Sequence, residues 1–176
     1  MEEMEVPTEH LSEHINEHAE HSKDRSSMYL AVSTAIMAVL AAFGSLLAGH
    51  NSNEALISQQ KASDQWAYYQ AKGIKYEILH STVRLDKESP EANQIKADMA
   101  KYKSEQAEIT NKANEFEKES EMHLQKHNTI SYSVTLFQIA IAISAISMLT
   151  GKRFLWYFSI LLSLGGLAML ALSYLK

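Results

Sequence analysis

Apolar and polar positions along this chain fall into long blocks. Three stretches, 28–49, 130–150 and 154–175, contain no Asp, Glu, Lys, Arg or His. As helices, such stretches would be about 32 Å long at a rise of 1.5 Å per residue. That is the thickness of a bilayer's hydrocarbon core, roughly 30 Å. An uncharged helix of this length satisfies its own backbone hydrogen bonds, as lipid requires. The pattern therefore predicts three transmembrane helices, at 28–49, 130–150 and 154–176. The connection at 151–153, Gly-Lys-Arg, is short enough to make the last two spans an antiparallel pair, with Gly151 ending a helix in the left-handed conformation.

Between the first two spans, residues 50–128 carry a different periodicity. In the second half, Ile95, Met99, Tyr102, Gln106, Ile109, Ala113, Phe116, Ser120, His123 and His127 recur at alternating steps of four and three, a heptad seam. In the first half, Ala55, Gln59, Ala62, Trp66, Tyr69, Gly73, Tyr76, His80 and Val83 do the same. Ser89 and Pro90, near the middle of 88–91, suit a helix cap and a first helical position. Folding there pairs Val83 with Ile95, Tyr76 with Tyr102, Tyr69 with Ile109, Trp66 with Ala113 and Ala62 with Phe116. The fold class predicted is an all-α integral membrane protein with three spans and an extended, coiled-coil-like antiparallel helical hairpin between spans one and two. The stretch at 51–54, Asn-Ser-Asn-Glu, reads as a capping-box start for the hairpin's first helix.

Trp66 and Tyr69 lie on the seam and read as packing. Tyr68 lies off it, close in helical spacing to Gln65 and Lys72, and suits contact with a neighbouring subunit. Polar and small residues interrupt the seam, and two helices bury little surface. The chain is therefore expected to form a homo-oligomer. Span one offers a further surface, because Ala38/Ala42, Gly44/Ala48 and Ser45/Gly49 are small-xxx-small pairs that admit close helix approach. Gln138, the amide within span two, is expected to hydrogen-bond across helices. The interface candidates are thus Gly44, Ala48, Trp66, Tyr68, Tyr69 and Gln138.

Charge changes this picture in orientation and chemistry. Whole-chain values, a mean hydropathy of −0.20 and a net charge of −5, hide a strong asymmetry. Residues 1–27 have a net charge of −6, residues 50–128 of −2, and the remainder of +3. Basic residues near short connections, Lys23, Arg25, Lys152 and Arg153, place the N-terminal segment and the 151–153 turn in the cytoplasm and the hairpin outside. The first span lacks the features of a cleavable signal, and the neighbouring Leu-Leu-Ala-Gly-His stretch has no lipobox cysteine. The chain has no cysteine at all, which excludes disulfides and thiol chemistry.

The acidic segment 1–27 holds His10, His14, His18 and His21 on one helical face, interleaved with glutamates. Imidazoles one turn apart can chelate a divalent transition metal. The same segment also reads as an amphipathic surface helix with Leu11, Ile15 and Ala19 on its apolar side. His50, His123 and His127 offer a second conceivable cluster near the membrane. Spans without an ionisable residue disfavour a proton-coupled carrier. Ser33, Thr34, Ser133, Thr135 and Gln138 could line a pore in an oligomer. No nucleophile elbow, phosphate loop or carboxylate pair is present, and the acidic hairpin disfavours nucleic acid. The expected protein is not an enzyme but a structural or scaffold component whose partners are lipid and its own copies. The alternatives are a channel or transport component and a metal-responsive protein.

Three stretches also carry a resemblance: HLSEHINEHAEHS at 10–22, LLAGHNSNEAL at 46–56 and QQKASDQWAYYQAK at 59–72. With the layout of one span, a polar segment and two further spans, the chain resembles an uncharacterised bacterial membrane family, domain of unknown function 4337. The resemblance implies a bacterial inner-membrane protein. It implies no activity, substrate or catalytic residue.

Overall fold

The computed structural model describes residues 25–85 and 92–175 as three helices. They are α1 (Arg25–Leu85), α2 (Ala92–Thr150) and α3 (Arg153–Leu175), and there is no strand among the described residues. All three contain stretches long and apolar enough to cross a membrane. The histidines at 10, 14, 18 and 21 and the breaker at 88–91 lie outside the described residues.

The expected capping box at 51–54 is not used. α1 runs unbroken through Gly49 and Asn51, and the Asn51 side-chain amide donates back to Leu47 O at 2.9 Å. Nothing in that stretch forces an end. Gly49 does not take a positive φ, and there is no proline to remove a donor. α2 likewise continues through 128–130, with Thr129 Oγ1 donating to Gln125 O. The change from apolar to polar surface occurs within single helices.

Gly151 is the one described residue with positive φ, +66°. It ends α2, as a residue without Cβ does at low cost. Lys152 O then accepts from Leu155 N at 3.1 Å and from Ser147 Oγ at 3.0 Å, which ties the turn together.

The chain forms two compact units. The first comprises Met1–Ser52 and Gln125–Lys176; the second is Asn53–Leu124. In the first unit, parts of α1 and α2 pack with α3 through small side chains and hydroxyls. Three apolar groups make the core: Leu30, Ala31 and Ala145; Met37, Ala140 and Ile141; Ala48, Ile130, Val134 and Leu170. Between them Thr34 Oγ1 meets Ser144 Oγ at 2.7 Å, and Ser133 Oγ donates to Gly166 O at 2.7 Å. The large apolar side chains point outward instead: Val39 and Leu46 on α1, Leu149 on α2, Leu161 on α3. The most apolar windows of the three helices are only 28%, 44% and 17% buried. This is the reverse of a water-soluble bundle, which hides its large apolar groups.

In the second unit, α1 and α2 meet through Ala55, Ser58 and Ala62 on one side and Ile109, Ala113 and Ser120 on the other, all buried. Ser120 Oγ donates to Ala55 O at 2.8 Å, and Gln106 Nε2 donates to Tyr69 O at 3.3 Å. As the α1 partner moves toward the C-terminus, the α2 partner moves toward the N-terminus. No side chain from 74 to 85 or from 93 to 108 is fully buried. Full burial is therefore confined to the part of the unit around Ala55–Ala62 and Ile109–Ser120.

Candidate interaction site on the polar helical unit

The aromatic cluster of α1 divides into two environments. Trp66 and Tyr69 lie one turn apart on the face toward α2. Their rings meet edge to face, with centroids 5.7 Å apart. Trp66 is half-buried, and its Nε1 donates to Glu117 Oε1 at 2.8 Å. An indole so placed gives its apolar face to packing and its one donor to a carboxylate. Alongside it, the Lys61 ammonium sits 5.6 Å from the centre of the Phe116 ring.

Tyr68 faces another way and is 49% exposed. The Lys72 ammonium lies between two rings, 5.1 Å from the centre of Tyr68 and 5.0 Å from that of Tyr102. It also meets Glu105 Oε2 at 2.6 Å. The Lys72 side chain is 12% exposed and that of Glu105 30%, so the contact is partly shielded from water. Two cation–π contacts and one ion pair fix a single ammonium. The hydrogen bond to the Glu105 carboxylate, and next the one to Tyr68, raise the Lys72 pKa above its ordinary value. The same bond to Lys72, helped by the charges of Lys101 and Lys75, lowers that of Glu105 against the opposing effect of desolvation.

The pH consequence has two edges. A lowered carboxylate pKa contributes stability above the unfolded value, about 4.3, and that contribution is lost as pH falls through the folded value. A raised ammonium pKa contributes below about 10.4 and is lost as pH rises through the folded value. Glu105→Gln should therefore melt at a lower temperature than the wild type at neutral pH. The two melting curves should converge as the pH falls through the lowered folded-state pKa of Glu105. A difference that persisted at acid pH would assign the effect to something other than this ion pair.

Lys72 and Glu105 were not among the residues the seam pattern singled out. Each immediately precedes a seam position, Gly73 and Gln106. Those are the flanking places where coiled coils put paired charges. The seam also brings Gly73 close to Gln106: a Cβ on Gly73 would stand 3.0 Å from Gln106 Nε2.

The other interface candidates lie in the first unit. Gly44 is buried within one chain, against Val134 of α2. Ala48 is buried with Ile130, Val134 and Leu170, and its carbonyl is 2.8 Å from His127 Nδ1. Gly44 and Ala48 thus pack inside the chain, whereas Ala42 is exposed on an outward face of α1 that also carries Val32, Ile36, Val39 and Phe43. Gln138 is half-buried on α2 and makes no cross-helix hydrogen bond among the described residues. Ser33, Thr34 and Ser133, expected as pore-lining hydroxyls, are occupied within the chain. Ser33 accepts from Trp156 Nε1 at 3.1 Å, and Ser133 and Thr34 are engaged as described above. Thr135 Oγ1 turns back to Ser131 O of its own helix. No group of three or more histidines, aspartates and glutamates among the described residues could hold a metal ion. His50, His123 and His127 therefore do not form the cluster their positions suggested.

Together these features define an all-α chain with one apolar-coated three-helix unit and one polar two-helix unit. The chain belongs to the family described as Domain of unknown function (DUF4337), whose model matches residues 26–176. No curated protein and no solved structure matches it.

Proposed function

We propose that this is a non-enzymatic, three-span protein of the bacterial inner membrane that works as a homo-oligomeric scaffold. In this reading the first unit lies in the bilayer. Asn53–Leu124 stands outside it as a helical hairpin, and the N-terminal segment and the 151–153 turn face the cytoplasm. The outward-facing apolar side chains of the first unit support membrane insertion. Lys152 and Arg153 at the turn support the orientation.

One observation carries the assembly. α1 has a second stripe, displaced from the one facing α2: Ala67, Ala71, Ile74, Ile78 and Leu85, again at steps of four, three or seven. All five are exposed; Ile74, Ile78 and Leu85 are 62%, 57% and 89% exposed. Beside the stripe, Gln70, Gly73, Glu77 and Ser81 complete an open face of the same helix. Two exposed isoleucines one helical turn apart, on a stretch of α1 with no fully buried side chain, match the face of a coiled coil awaiting another helix. A second copy of the chain supplies the same stripe and so fits it.

The test combines extraction with mass measurement. The protein should stay with membranes in alkaline carbonate, and the detergent-purified particle should have a mass that is a multiple of 19.8 kDa. Release by carbonate would overturn the membrane reading. A single-chain mass would overturn the assembly.

A further inference from the structure

At one end of the first unit, α1, α2 and α3 line a half-open cleft of about 380 Å³. Its lining includes Ser27, Tyr29, Ser147, Arg153, Trp156 and Tyr157. We propose that this cleft binds the phosphodiester headgroup of an anionic phospholipid, an inference that rests on the membrane reading above.

The floor is rigid. Trp156 packs on the cluster of Leu30, Ala31 and Ala145, and its Nε1 is held by Ser33 Oγ. Ser33 in turn donates to Leu30 O at 2.9 Å. Ser147 is 2% exposed and tied to Lys152 O. The rim is open and polar: Tyr29, Arg153 and Tyr157 are all exposed. Tyrosine and tryptophan at a span end are common in membrane proteins, where they sit at headgroup level. An aromatic belt alone needs no cavity. Here the aromatic residues wall one, and its volume lies within the range of small-ligand sites.

Charge selects the ligand. Neither 25–52 nor 125–176 contains an aspartate or glutamate. The Arg153 guanidinium therefore has no carboxylate in the described part of its unit, and Lys152 beside it adds a second positive charge. Guanidinium binds phosphate through paired hydrogen bonds, and basic pockets between membrane helices hold anionic headgroups. The chain ends of such a lipid would lie along the outward apolar faces of the helices, which free phosphate does not need.

The two tryptophans of the chain make the test direct. In a Trp66→Phe background, Trp156 is the sole indole reporter. The full-length protein is reconstituted into phosphatidylcholine vesicles containing a minority of lipid brominated near the carbonyl end of its chains, either phosphatidylglycerol or phosphatidylcholine. The brominated phosphatidylglycerol should quench Trp156 more strongly. Arg153→Gln should reduce that preference about fivefold, as expected for one cation near an anionic surface. Equal quenching by the two lipids, or a preference unchanged in Arg153→Gln, would overturn the proposal. So would displacement of the quencher by inorganic phosphate with no headgroup preference, because the ligand would then be the free anion. A preference that appeared only after deletion of residues 1–22 would assign the cleft to the acidic N-terminal segment instead. Failure of the protein to enter vesicles at all would refute the membrane reading, a separate outcome.

Discussion

Gly44→Ala should destabilise the three-helix unit, and Val134→Ala in the same chain should restore much of the loss. A Cβ built on Gly44 stands 2.7 Å from Val134 Cγ2 and 3.9 Å from Ile130 Cγ2. Two effects oppose each other at this position. Replacing a mid-helix glycine with alanine favours the helix by about 1 kcal/mol. The clash acts the other way, at about 1–3 kcal/mol for one excess carbon in a packed interior. The rigidity of Val134 decides which wins. A β-branched side chain in a helix has essentially one χ1 rotamer, so its methyl group cannot swing clear. The helices must separate, and Thr34 and Ser144, hydrogen-bonded across the same pair, are pulled on as well. Gly44→Leu should be worse, at about 3 kcal/mol or more. Gly49 is the internal control, because a Cβ there meets nothing within 4 Å. Gly49→Ala should be neutral or slightly stabilising. Thermal unfolding in detergent, followed by loss of helicity, reads all four variants. Equal behaviour of Gly44→Ala and Gly49→Ala would show that the close approach at Gly44 is not rigid.

Gly44 also shows where the sequence stops being informative. Small-xxx-small spacing indicates that some helix comes close, but it does not say whether that helix belongs to the same chain. The expectation was self-association through span one, and the structure fills the notch with Val134. The hydroxyls followed the same course. Thr34 and Ser133 were legible as polar groups in apolar helices, yet their partners, Ser144 and Gly166 O, lie 110 and 33 residues away. Heptad spacing was more informative, because it carries direction and register together. It placed Tyr69 and Trp66 on the inner face and Tyr68 off it. The contacts Ser120–Ala55, Gln106–Tyr69 and Lys72–Glu105 join later positions of α1 to earlier positions of α2. The helix start at 51–54 was misread because Asn51 can either cap a helix or return its amide to the preceding turn. Only the surrounding backbone decides between these.

The largest effect on assembly should come from charge placed on the outer stripe of α1. Ile74→Glu with Ile78→Glu should reduce the particle mass and leave helicity and single-chain stability nearly unchanged. Both side chains are more than half exposed within one chain, at 62% and 57%, so neither contributes much to its fold. Surface substitutions of this kind usually shift stability by no more than about 0.5 kcal/mol. Within an oligomer the same positions are worth more. Completing the burial of an isoleucine contributes about 1–2 kcal/mol, scaled from the 1.5–3 kcal/mol of a full burial. Two per chain give about 2–4 kcal/mol, or roughly 30- to 700-fold in the association constant at 1.4 kcal/mol per tenfold. Glutamates at both positions add like-charge repulsion between copies, beside the existing Glu77 of the same open face. Ile57→Glu makes a useful comparison. It is also exposed, at 47%, but lies on the part of the unit where Ala55, Ser58 and Ala62 are already buried. Loss of mass in the 74/78 variant alone would locate the contact between copies on the loosely packed half of the unit. An unchanged mass, with helicity intact, would mean that this stripe faces solvent in the assembled protein and that the copies meet elsewhere.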